Sequence, residues 1–446
     1  MGHACDVMAG RHRPLRAAGR ALVGCVLVIA AAAAAVSGQE RIVLRHLGYI
    51  WHGEAWHGYM EAKIAEFERL HPGVTIERTL SGQRSAEMEE KFTTMVAGGV
   101  APDVNEMTLS QGGNLVPQGV FLDLRPLIEA DPEIRLTDFA PLALRAITWV
   151  DGTLWGLPLD VYPVTTFYNS DLFAQAGLAT PGDLAPRAWN WDYAFSAAQK
   201  LTVDDNADGQ PERWGLETSS TLISYGIPIK QAGGAIYDRY VDPTRSMLTD
   251  PRTIRGFEWL AEAFTRGFGG GRFDQGSAAF GITFGPAVIE TLQQAAAFQW
   301  EIGSPLWGPD NNGSYVAVNS LQLSNYTRHP ELAWEWVKFL AADADNMREF
   351  VRRTARLPSY RPVLAEYAQL VEGASAGIQH FSDVLTHSAS FHPPVGPLTT
   401  QVQELIYDTF FSEVVRGGSP VRLMLERLHP QVNAMLAELR QGSLAR

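Results

Sequence analysis

Two prolines, Pro158 and Pro163, constrain this chain more than any other feature. They interrupt an extended run from Leu157 to Tyr168 that is rich in β-branched and aromatic residues. Proline cannot donate to a sheet ladder, so one long central strand is disfavoured. A strand that leaves one sheet and enters another tolerates both prolines. Asp151-Gly152 just upstream is a turn dipeptide between apolar runs and reads as a hairpin. Asn169-Ser170-Asp171 just downstream offers helix caps. The stretch therefore reads as a crossover between two lobes, with Asp160 and Tyr162 where the lobes face each other.

A chain of 446 residues leaves room for two or three domains. The first 38 residues have the layout of a secretory signal peptide. Arg11, Arg13, Arg16 and Arg20 precede an apolar run from Ala21 to Val36, and cleavage is expected after Ser37 or Gly38. An uncleaved anchor is the alternative, although the run is short for a span. Leu22-Val23-Gly24-Cys25 superficially matches a lipoprotein box, but most of the apolar run follows Cys25. Both cysteines, Cys5 and Cys25, lie in this leader, so the mature chain has neither disulfide nor thiol chemistry. Losing four arginines and one aspartate takes the net charge from −13 to −16. Such an acidic surface argues against nucleic acid as a partner. A cysteine-free acidic secreted protein suits a periplasm.

Past the leader, residues 41–50 read as a strand and Trp51–Gly58 as a loop at its carboxyl end. Met60, Ile64, Phe67 and Leu70 have helical spacing, His71-Pro72-Gly73 stops that helix, and Val74 opens a second strand. This β-loop-α-β order favours an α/β lobe, in which ligands sit beyond the carboxyl ends of strands. Trp51 and Glu54 become site candidates on that ground. His52-Gly-Glu54-Ala-Trp-His57 lacks the spacing of a zinc helix. Asp250-Pro251 caps and starts a further helix.

Several segments together carry a resemblance. They are "FERLHPGVTIE", Ala101-Pro102-Asp103-Val104, Gly119 to Ile128, "DGTLWGLPLDVYPVTTFYN", Trp191-Asp192, "HPELAWEWVKFL" and Leu357-Pro358. In this order the chain resembles the family 1 extracellular solute-binding proteins, the sugar-binding subunits of ABC importers, over about residues 41–440. Ala278-Ala279 and Gly285-Pro286 match the family's second crossover, but Phe280 and Ala287 replace its Met and Trp. Asn319-Ser320 stand where glycines are usual, and Arg356 replaces a glycine.

The resemblance implies an α/β two-lobed periplasmic binding fold with three hinge crossovers, near residues 159–166, 276–283 and 318–324. The implied lobes are 39–160 plus 281–320, and 161–280 plus 321–446. It implies a ligand cleft with Trp51, Glu54, Gln111, Asp160, Tyr162, Tyr225, Phe284, Asn319 and Arg356 around it. Aromatic rings suit the apolar faces of a pyranose, while Asp, Asn, Gln and Arg suit its hydroxyls. The expected partners are a small carbohydrate and the membrane subunits of an ABC permease, with the protein itself a monomer. A glycerol-phosphate-type or other polar solute is the alternative ligand, with Arg356 as its cation.

Catalytic motifs are missing from the sequence: there is no G-x-S-x-G, P-loop or HExxH. Glu54, Glu106 and Asp160 leave a secreted glycosidase as a reading from another class, and a surface adhesion protein as a third. No cofactor is expected. Asp204, Asn206, Asp208 and Gly209 match half of a calcium loop, but Gly215 stands where its bidentate Glu belongs. A solvated turn is the preferred reading there.

Overall fold

The computed structural model describes residues 41–50, 53–82, 85–217, 222–371, 377–397 and 399–444. The leader expected over 1–38, with both cysteines, and the candidate Trp51 lie outside the described residues.

Among the described residues, ten strands form two mixed sheets. They are β1 (Ile42–Gly48), β2 (Val74–Leu80), β3 (Val104–Thr108), β4 (Leu157–Pro163), β5 (Thr165–Asn169), β6 (Trp214–Glu217), β7 (Ala278–Phe284), β8 (Trp300–Gly303), β9 (Val316–Leu323) and β10 (Leu357–Pro358). The six-stranded sheet has the order β10-β4-β9-β3-β1-β2, the four-stranded one β6-β7-β5-β8. β1 runs parallel to β2 and β3, as an α/β unit requires, while β9 is antiparallel to β3 and β4.

The two prolines act as the sequence suggested. β4 shifts register between Pro158 and Asp160, and it ends at Pro163. Val164 alone separates it from β5 in the other sheet. The Val164 N–H donates to the Tyr315 carbonyl at 2.9 Å, and Ser314 Oγ donates to the Val164 carbonyl at 2.8 Å. Phe391 brings in a further segment: its N–H donates to the Ser314 carbonyl at 3.0 Å, and its carbonyl accepts from Val316 N–H at 2.8 Å.

The other expected crossovers run differently. β7 pairs with both β5 and β6, and β8 pairs with β5, so residues 278–303 stay with the four-stranded sheet. Gly285-Pro286 opens a turn into the helix Val288–Ala295 and leads back to that sheet. The chain returns to the six-stranded sheet at Val316, not at 281, and residues 318–323 remain inside β9. Beyond residue 321 the chain does not yet change sheets. The helix Pro330–Ala341 packs on β4 and β9, Ala344–Thr354 packs on the helix Glu54–Leu70, and β10 pairs with β4. The closing helices Thr399–Thr409 and Val421–Leu444 instead pack together, the latter also against Pro251–Thr265 beside the four-stranded sheet.

Local signals set the helices. Asn190 and Asp250 accept from Tyr193 N–H and Arg252 N–H and start their helices as caps. One expected loop is shorter: the first helix begins at Glu54 rather than after Gly58. Gly53, with φ +85°, ends the loop, and the buried Trp56 and Tyr59 anchor the early turn against Phe350. The partial calcium loop closes on itself. Asp204, Asn206 and Asp208 each accept a backbone N–H from within the turn, at Gly209, Asp208 and Gln210.

Candidate functional site

β3, β9, β4 and β10 lie side by side, and register aligns Thr108, Asn319, Asp160 and Pro358 across them. This row lies two or three residues before β4 leaves the sheet. Asp160 is completely buried. Its Oδ2 accepts from Asn319 Nδ2 at 3.2 Å and from Arg356 Nη1 at 3.2 Å. Burial raises the Asp160 carboxyl above its usual range, and the Arg356 charge and the Asn319 bond oppose that rise. Asp160 Oδ1 has no hydrogen-bond partner among the described residues. An ion-paired carboxylate therefore retains one spare acceptor where the chain switches sheets.

Arg356 is held from below by an aromatic face. Its guanidinium lies 4.9 Å from the centre of the Trp56 ring, a cation–π contact. Trp56 Nε1 in turn donates to Glu106 Oε2 at 3.2 Å. Glu106, on β3, also receives Arg78 Nη2 at 3.1 and 3.2 Å and the Tyr49 N–H at 3.3 Å. His46 Nε2 stands 3.0 Å from Glu106 Oε1. The indole of Trp336 donates to His46 Nδ1 at 2.9 Å, and an indole can only donate. The hydrogen on His46 therefore sits on Nε2, facing Glu106. Burial lowers the His46 pKa, with Glu106 pulling the other way, so the ring is neutral at pH 7. His57 repeats the logic: Arg78 Nη1 donates to its Nδ1 at 3.2 Å, and its Nε2 donates to the Ile50 carbonyl at 3.0 Å. Glu106 is thus saturated with donors. Its work is to orient Trp56 and Arg78, and through Trp56 to seat Arg356.

The charges in this cluster balance. Arg78 and Arg356 face Glu106 and Asp160, and His46 is neutral. Such a site offers fixed donors and acceptors without a net field.

The candidates from sequence fall into three groups. Asp160, Asn319 and Arg356 meet directly. Gln111 and Tyr162 border them: Gln111 Oε1 caps its own helix at Thr108 N–H, 2.9 Å, and hydrogen-bonds Tyr49. Tyr162 reaches into the other sheet, where its hydroxyl accepts from Gly285 N–H at 3.1 Å. Phe284, next to Gly285, packs on Phe167 and Phe273 at 5.9 and 5.6 Å. Tyr225 stands apart: it is buried in the core and stacked on Phe257 at 5.5 Å. Glu54 is exposed at the start of its helix. Trp56 and Arg78 were not singled out by sequence, His57 entered only as a metal ligand set aside on spacing, and Glu106 only as a carboxylate. The available signal was a charge on a strand, at Arg78 on β2 and Glu106 on β3, since a charge that ends up inside needs a partner.

Two mixed sheets joined at a strand that switches between them define the class: the α/β fold of the periplasmic binding proteins. An ABC substrate-binding protein from Listeria monocytogenes, solved with cycloalternan, superimposes with a TM-score of 0.75 at 21% identity, covering 89% of this chain and all of the other. The cyclic alpha-maltosyl-1,6-maltose binding protein of Arthrobacter globiformis gives 0.73 at 18% identity, over 89% and 99%. The maltodextrin-binding protein of Bacillus subtilis is 23% identical over 369 residues, 80% of this chain and 83% of its own. The model of the bacterial extracellular solute-binding protein family matches residues 62–377, and the chain belongs to that family.

Proposed function

We propose that this protein binds a neutral oligosaccharide between its two sheets and delivers it to the membrane subunits of an ABC importer. The observation that carries this reading is Asp160, buried, ion-paired, and with one acceptor to spare on the strand that passes from one sheet to the other. A sugar hydroxyl satisfies such an acceptor without adding charge. The balanced Arg–carboxylate cluster favours a neutral ligand over a phosphate, because Arg356 already has its counter-charge. Solute-binding relatives and structural neighbours named for maltodextrin, galactooligosaccharide and cyclic maltosyl ligands point the same way.

The lobes in this reading are the two sheets with their helices. The hinge is the bonded set of segments at Val164, Ser314–Val316 and Phe391, three passages of the chain. Closure changes only a few dihedrals there, and the ligand favours the closed state through contacts to both lobes. The protein acts outside the cytoplasm as a monomer. Calorimetry with maltooligosaccharides, galactooligosaccharides and glycerol 3-phosphate tests the ligand class. Saturable binding of an oligosaccharide without product supports the reading. Binding of glycerol 3-phosphate alone overturns it.

A further inference from the structure

The segment that carries Phe391 continues into a position between the two bodies. Val395 N–H donates to the Tyr240 carbonyl at 2.7 Å, and the Val395 carbonyl accepts from Asp242 N–H at 2.7 Å. On its other side lies the helix Leu109–Leu115 beside the six-stranded sheet. A β-carbon added at Gly113 of that helix would stand 2.7 Å from Val395 Cγ1 and 2.9 Å from Gly396 N. Gln111 is on the same helix. His392 also sits close enough to Arg145, on the helix Pro141–Ala146, to feel its charge.

Three side chains from the four-stranded body and this segment gather here. The Tyr240 ring meets His392 edge-on at 5.6 Å, and the Lys230 ammonium lies 5.7 Å from the centre of the same ring. His392 Nδ1 is 2.7 Å from the Pro393 carbonyl. A carbonyl only accepts, so Nδ1 carries the hydrogen and Nε2 keeps its lone pair. Burial, with Arg145 adding to it, lowers the His392 pKa to about 4, so Nε2 is an acceptor at neutral pH. Lys230 is a donor only, and burial lowers its pKa while Asp310 opposes the change. One ring therefore contacts both an acceptor and a donor. Adjacent hydroxyls of a sugar match that pair: one gives its hydrogen to His392 Nε2, and the oxygen of the next accepts from Lys230.

We propose that Lys230, Tyr240 and His392 form a sugar-recognising subsite on the four-stranded body, beside the segment that packs on the helix carrying Gln111. The subsite rests on the function proposed above and supplies the second-lobe contacts that closure needs. The test is calorimetry with maltotriose or galactotriose, whichever the unaltered chain binds. Lys230→Met and His392→Phe are each expected to weaken binding at least tenfold, and His392→Gln, which keeps an acceptor, to stay within about threefold. Melting temperatures without sugar should change little in His392→Gln, which separates recognition from folding. Unchanged affinity in Lys230→Met and His392→Phe overturns the subsite but leaves the proposed function standing. Equal losses in His392→Phe and His392→Gln also overturn it, since the acceptor would then not matter. An unaltered chain that binds neither sugar overturns the function and the subsite together.

Discussion

Asp160 and Arg356 are 196 residues apart in the chain and 3.2 Å apart in the fold. The carboxylate is fully buried, and the guanidinium side chain is 12% exposed. Removing one member of a buried pair leaves the other without compensation. Arg356→Met is therefore expected to lower stability by about 3 kcal/mol. Adding Asp160→Asn to that variant should restore much of the loss, which denaturant titration of the three variants will show. Asp160→Ala is expected to weaken oligosaccharide binding by about 1–3 kcal/mol with native circular dichroism. Unchanged affinity would take Asp160 out of the site.

Tyr162 and Gly285 form a contact between the sheets. The Tyr162 ring lies flat against Gly285, so an added β-carbon would stand 2.5 Å from ring atom Cε1. Gly285→Ala is expected to cost about 1–3 kcal/mol through overpacking. Tyr162→Phe removes only the hydroxyl acceptor and should cost about 1 kcal/mol. Thermal melts that rank the two variants the other way would show that the contact is loose.

Glu217 should make the protein less stable as pH rises. Burial lifts its carboxyl from 4.5 to about 7, partly opposed by the hydrogen bond from Phe273 N–H. Between those values the folded chain holds a proton that the unfolded chain has released. The group's contribution is full below pH 4.5 and is lost as pH rises through 7. Glu217→Gln keeps an acceptor for Phe273 and removes the charge. It is expected to be more stable than the parent by about 2 kcal/mol at pH 8 and equal to it at pH 4, read by denaturant melts.

His392 acts with the opposite sign. Its pKa falls from 6.5 to about 4 on folding, chiefly through burial. The unfolded chain binds the proton first on acidification, so the contribution is present above pH 6.5 and is lost as pH falls toward 4. His392→Gln should flatten the acid limb of the stability profile in that window, where the histidine adds up to about 1.4 kcal/mol per pH unit. An acid limb with the parent's slope would show that His392 is already charged in the folded state.

Closure should be visible in solution. Small-angle scattering is expected to give a smaller radius of gyration when a binding oligosaccharide saturates the protein. A radius that does not change would leave a binding site without a hinge.

Part of the Asp160 cluster is legible in the sequence. Asp160, Asn319 and Arg356 stand out as polar residues on extended stretches or replacing glycines, and they do meet. Tyr225 did not follow, because an aromatic in an amphipathic helix reads alike whether it lines a ligand or a core, and here Phe257 covers it. Trp56 reads from sequence as part of a loop, and only packing on Phe350 shows that it faces inward. Glu106 looked like a possible catalytic carboxylate until its donors could be counted.

Short stretches of sequence encode the local elements: the register shift after Pro158 and the strand end at Pro163, the caps at Asn190 and Asp250, and the apolar periodicity of the helices. These depend on dihedral limits and on neighbours within a turn, which adjacent residues encode. Tertiary structure alone decided that β7 stays with β5 and β6, that β9 lies between β3 and β4, and that Glu106 gathers His46, Arg78 and Trp56. Strand partners and buried charge pairs are contacts between distant parts of the chain. They form only when closing those long loops is offset by burial and hydrogen bonding across the whole fold, and no short window of sequence contains that balance.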